Sequence, residues 1–76
     1  MRYADGREAK LGDVIAIASK HRGTVVANFD GGEYAAEYPE AEWRHLKSGI
    51  LVNTDFAGLV HYANGEYENL ALVARK

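Results

Sequence analysis

The chain has 76 residues, 47% of them hydrophobic and 26% charged, with no Cys and a formal charge of −2. A chain this short buries only about 60% of its extended surface and has room for one small core, so it is a single domain. That composition excludes a disulfide scaffold, a disordered tail, a collagen-like repeat and a large substrate-enclosing enzyme, and leaves apolar packing and backbone pairing to overcome on the order of 110 kcal/mol of ordering entropy.

The longest purely apolar stretches, residues 14–18 and 70–74, are far short of the roughly 20 residues that cross a bilayer. Behind Met1 there is no apolar segment of the length a secretory signal requires, so the expectation is a cytoplasmic protein with no membrane partner. The charge is unevenly spread. Residues 23–43 hold Asp30, Glu33, Glu37, Glu40 and Glu42 and no Lys or Arg, a local charge of −5, while the nine bases and six acids elsewhere give +3.

Asp5-Gly6 is the first turn signal, followed by Asp30-Gly31-Gly32 and Asn64-Gly65, because Gly accepts positive φ and Asx side chains bond their own backbone. Between these signals, short alternating or continuous apolar runs with β-branched residues predict about five strands, at 14–18, 24–29, 50–54, 59–62 and 70–74. In the second of these, the two-residue period places Val25, Ala27 and Phe29 on one face, the expected core face. The first and last runs are apolar on both parities, which suits a small barrel better than a flat open sheet.

Before the third strand the pattern changes. Pro39 at a helix start, acids early, bases late and Gly49 past the end predict a short helix over about residues 39–48. Trp43 and Leu46 would share its inward face, and Glu40 and Arg44 are spaced as an i,i+4 pair. The expected fold is therefore mainly β: a small SH3-like barrel of about five antiparallel strands with one short helix.

Leu11-Gly12-Asp13-Val14-Ile15, followed by Arg22-Gly23-Thr24-Val25-Val26, resembles the Gly-Asp-Val … Gly-x-Val pattern of KOW and related SH3-like barrels. The resemblance implies that Gly12-Asp13 turns into the first barrel strand and that Gly23 starts the returning one. The whole chain, with Tyr3-x-Asp5-Gly6, Tyr38-Pro39-x-x-Glu42-Trp43-x-x-Leu46-Lys47-x-Gly49 and Ala57-Gly58-Leu59-Val60-His61-Tyr62, also resembles a group of small bacterial SH3-like proteins of uncharacterised function. It implies a fold and brings no catalytic residues.

Catalytic signals are sparse. Ser19 and Ser48 are the only serines, neither lies in a Gly-x-Ser-x-Gly elbow, and the absence of Cys excludes thiol chemistry. His21, His45 and His61 match no local metal-ligand spacing, and His61, alternating within a strand, reads as a structural histidine with a hydrogen-bond partner. Glu40 and Glu42, two apart on a helix, do not share a face, and Gly31-Gly32 lacks the Lys of a phosphate loop. The expectation is a non-enzyme with no catalytic residue, metal or cofactor.

A sequence pI of 5.8 argues against nucleic acid, whose phosphates require a basic stripe. The alternative would be a KOW-like nucleic-acid contact through a weakly basic pole formed by residues 1–22 and Arg75-Lys76. Glu33, Tyr34, Glu37, Tyr38 and Trp43 are instead the candidate site. Aromatic rings among carboxylates suit a basic or Pro-containing segment of a protein partner, although a domain with one Trp also needs that ring in its core. A narrower version is a small acidic immunity or antitoxin protein that covers a basic partner. The protein itself is expected as a monomer or weak homodimer. On this reading Tyr34→Ala abolishes partner capture and leaves the melting temperature nearly unchanged.

Overall fold

Short β-branched runs joined by tight turns pair antiparallel with the run next to them, and two further pairings join strands distant in sequence. A computed structural model describes residues 2–3, 5–43, 45–63 and 69–75. Among them lie β1 (Val14–Ile17), β2 (His21–Asn28), β3 (Glu33–Tyr34), α1 (Glu40–Trp43), β4 (Ile50–Thr54), β5 (Gly58–Tyr62) and β6 (Leu70–Ala74). The strand order is β5-β4-β2-β1-β6, with β3 added to the end of β2. Every pairing is antiparallel, and the whole is one small barrel-like sheet with a single short helix, the mainly β class expected. Its accessible surface of 4536 Å² is close to the roughly 4,600 Å² that mass scaling assigns to a folded chain of this size.

The inner face is built by alternation. Ile15 and Ile17 of β1, Val25 of β2, Ile50 and Val52 of β4 and Leu70 of β6 meet there, with Tyr3 and Ala9 closing the end. Fully burying each aliphatic side chain contributes about 1.5–3 kcal/mol. Gly23 lies against this interior, and a Cβ there would meet the Val52 and Ile17 side chains.

The expectation that Val25, Ala27 and Phe29 share one face does not hold. Val25 pairs with Val52 and Ala27 with Leu51, so Val26 is an extra residue in the ladder, a β-bulge. Directly opposed residues lie on the same side of a sheet, so the bulge moves Ala27 to the side of Leu51, opposite that of Val52. All three expected residues are buried, but in two places: Val25 inside the barrel, Ala27 and Phe29 with Leu51 in a second cluster on the outer face.

Other boundaries also differ. β1 ends at Ile17 because Ala18 and Ser19 both take positive φ, 55° and 62°, and Lys20 N–H bonds the Ile17 carbonyl at 3.2 Å. This is a mirror-image turn of the kind hairpin twist favours, made here without Gly. β2 starts at His21, three residues early, and stops at Asn28; Gly23 therefore lies within the returning strand, not at its start. β3 is an unanticipated sixth strand, and the helix is four residues long instead of ten, ending at Trp43. Leu46 N–H bonds the Trp43 carbonyl at 3.0 Å, and Leu46 lies with Trp43 on the outer cluster. The proposed Glu40–Arg44 pair and the Asn64-Gly65 turn lie outside the described residues.

The chain ends are fastened by a buried carboxylate. Asp13 is 0% exposed, and its Oδ2 accepts from Tyr3 Oη at 2.6 Å, Lys10 N–H at 3.0 Å and Arg75 Nη2 at 3.3 Å, while Oδ1 accepts from Arg75 Nε at 3.1 Å. Burial alone would favour the neutral acid, but Arg75, Tyr3 and the Lys10 N–H overcome it and hold the carboxyl below its usual range. Burial, reinforced by the Asp13 hydrogen bond, pushes the Tyr3 phenol well above its ordinary value.

Candidate functional site

Residues 29–43 and 45–49 belong to an arm that leaves the barrel at the end of β2 and returns at β4. Asn28 shapes its departure: its buried side chain donates to Ala9 O and to Glu33 Oε1, both at 3.0 Å, and its Oδ1 accepts from Gly31 N–H at 3.3 Å. The short β3 follows, pairing Glu33 with Asn28 and Tyr34 with Ala27. At the return, Asp30 Oδ2 accepts from Gly49 N–H at 3.0 Å, and Phe29 N–H donates to Gly49 O at 3.0 Å. Gly49 has φ +84°, and a Cβ on it would collide with the Tyr62 carbonyl oxygen. Only Gly closes the arm in this way.

Between these fixed ends the aromatic residues fold back onto the outer face of the sheet. Tyr34, Tyr38, Trp43, Leu46 and Val26 pack, half-buried, against Ala27, Phe29 and Leu51. Phe29 lies 5.8 Å from Tyr34 and 5.6 Å from His61 between ring centres, and Trp43 lies 6.2 Å from Tyr38 edge-on and 6.2 Å from His45 stacked. Trp43 Nε1 is buried with no hydrogen-bond partner among the described residues. The expected core role of Trp43 and its expected place on the acidic side are therefore the same position, in a core the sequence did not separate from the first.

The five acids of this region divide. Glu33 Oε1 accepts from Leu11 N–H at 3.1 Å as well as from Asn28, and these bonds, Asn28's foremost, hold its carboxyl below the usual range. Glu33 and Asp30 thus brace the arm. Glu37, Glu40 and Glu42 are exposed, and no ion pair joins them to any described residue. Of the sequence-derived candidates, Tyr34, Tyr38 and Trp43 come together, Glu37 lies exposed on the same arm, and Glu33 is engaged with the 11–13 turn.

Three of the basic residues near the chain ends face carboxylates. Arg7 pairs with Asp5 at Oδ2, Arg2 approaches Glu8 at 3.5 Å, and Arg75 is held by Asp13 and by Glu8 O at 2.7 Å. The histidines are dispersed in role: His21 Nδ1 lies 3.2 Å from Asp55 with its ring 4.4 Å from Phe56, His45 stacks on Trp43, and His61 Nε2 donates to Ser48 O at 2.9 Å. The last is the structural partner expected for His61. Among the described residues no three His, Asp or Glu side chains are grouped to hold a metal ion. No helix among them is long and apolar enough to cross a membrane.

The Tyr3–Asp13–Arg75 and Asn28–Glu33 networks were not anticipated as units. Their partners are 62 residues apart for Asp13 and Arg75 and 22 apart for Glu33 and Leu11, so no local spacing signals them. Fold and site together define a small mainly β domain with an aromatic arm and a solvated acidic edge. Comparisons with protein-family models, with curated proteins and with solved structures return no match.

Proposed function

We propose that the protein is a non-catalytic interaction module that binds a basic segment of a partner protein along the 34–46 arm. The observation that carries this reading is the set of three exposed carboxylates, Glu37, Glu40 and Glu42, which no described cation neutralises, on an arm whose rings are anchored from beneath. Half-buried Tyr38 and Trp43 supply fixed aromatic surface at low entropic cost, and the carboxylates attract Lys or Arg. Anchoring matters because a floppy acidic loop would have to be ordered at the moment of binding. The chain-end pole offers a polyanion less, because Arg2, Arg7 and Arg75 already face carboxylates.

The test is titration with a fluorescent deca-arginine peptide over a salt series, against Glu37, Glu40 and Glu42 each replaced by Gln. Binding by the parent that weakens with salt and is lost in the triple variant, with melting temperatures within about 3 °C, is the expected result, since exposed carboxylates contribute little to stability. Equal binding by parent and triple variant, or tighter binding of duplex RNA than of the peptide, would overturn it.

A further inference from the structure

Where β2 exchanges one partner for another, the sheet leaves a cleft of about 410 Å³. β1 accompanies β2 as far as Thr24 and β3 joins at Ala27, so Val25 and Val26 lie between the two. The cleft walls are held by backbone bonds: Gly12 N–H to Val25 O, Val25 N–H to Asp13 O, and Ala35 N–H to Val26 O, each 2.9 Å. Leu11, Val26, Ala35 and Ala36 give it apolar walls, and Glu37 is the one charged residue lining it among the described residues.

Among the described residues Glu37 makes no ion pair, whereas the carboxylates that line the neighbouring cavities are engaged by other groups. A smaller cavity of about 210 Å³ is lined by Glu8, Lys10, Asp30 and Glu33, yet Glu33 serves Leu11 and Asn28, Asp30 serves Gly49, and Glu8 lies against Arg2. A third, of about 310 Å³ beside Val14 and Ala74, has Arg75 at its side, already held by Asp13. The 410 Å³ cleft thus combines apolar wall with a carboxylate that no described cation neutralises.

We propose that this cleft takes one arginine side chain of the partner, its stem against Val26, Ala35 and Ala36 and its guanidinium at Glu37. The inference rests on the basic-partner reading and gives it a specific subsite. A long basic side chain buries its methylenes on apolar surface while its charge stays at the mouth. Arginine fits better than lysine because its guanidinium is more weakly hydrated, so placing it beside alanine and valine walls costs less, and its planar fork matches a carboxylate.

The probe is N-acetylarginine amide, followed on the amides of the ¹⁵N-labelled protein by NMR. Saturable shifts at Gly12, Val26, Ala36 and Glu37 are expected, with N-acetylnorleucine amide at least about threefold weaker and Glu37→Gln weakening arginine binding by about threefold to fivefold. Ala36→Phe places a ring in the cleft from an exposed position, and should remove these shifts while the spectrum otherwise stays dispersed. Shifts at Glu40 and Glu42 with none at Gly12 or Ala36, or arginine binding unchanged by Ala36→Phe, would overturn the cleft while leaving the basic-partner reading intact if deca-arginine still binds. No response to either probe at low salt would remove both.

Discussion

Replacing Asp13 with Asn removes one charge and almost no volume from a site with no exposure, so its effect isolates the buried carboxylate. Three donors converge on Oδ2 and one on Oδ1. An asparagine can keep its carbonyl toward the Tyr3, Lys10 and Arg75 Nη2 donors only by turning its NH₂ against Arg75 Nε. One hydrogen bond becomes a donor–donor clash, and the others lose their charge. Hydrogen bonds to a charged group contribute about 1.5–3 kcal/mol, and because Arg75 is partly exposed its share is screened by solvent, so a loss of about 2–3 kcal/mol is expected. In a domain this size that lowers Tm by on the order of 10–25 °C, measured by circular dichroism at pH 7. The sign with pH follows from the depressed carboxyl. Its stabilisation is fully present above the unfolded value near 3.9 and disappears as pH falls through the lower folded value. The gap between parent and Asp13→Asn should therefore narrow below about pH 4. A variant melting within about 2 °C of the parent at pH 7, or a gap that is undiminished at pH 2, would refute the reasoning.

Two other substitutions test the backbone. Gly49→Ala combines a left-handed conformation, costing about 1–2 kcal/mol, with a collision on the Tyr62 carbonyl, and should lower Tm by more than about 10 °C in the same melt. Ala18→Asn together with Ser19→Gly supplies residues suited to positive φ in the β1–β2 turn and should raise Tm by about 4–8 °C; a decrease would mean that the turn is not strained in this way.

Strands β1, β4, β5 and β6 were legible because each is a short apolar run rich in residues suited to strands and bounded by polar or turn residues. The bulge at Val26 was not, for a definite reason: residues 25–27 are all apolar, so a two-residue period cannot register one inserted residue. β3 is two residues long and has no period to detect. The helix signals around Pro39 were sound locally, but the expected length ignored the cluster that draws Trp43 and Leu46 down onto Leu51. At the site, composition located the arm and its acids. It could not separate Glu37, which is exposed, from Glu33, whose partners Leu11 and Asn28 are supplied by the fold. For the same reason Tyr34→Ala is no longer expected to leave stability unchanged, since its ring lies against Phe29.

The bulge at Val26 gives the domain two apolar centres back to back, sharing β2 and β4 but no side chains. Such a division lets one half open while the other stays closed. Amides of residues 33–43 should exchange with solvent through excursions that leave those of β1 and the first half of β2 protected. It also loosens the coupling between sequence change in one half and stability in the other. Substitutions across the exposed positions of the arm can therefore change its surface without asking the barrel to repack.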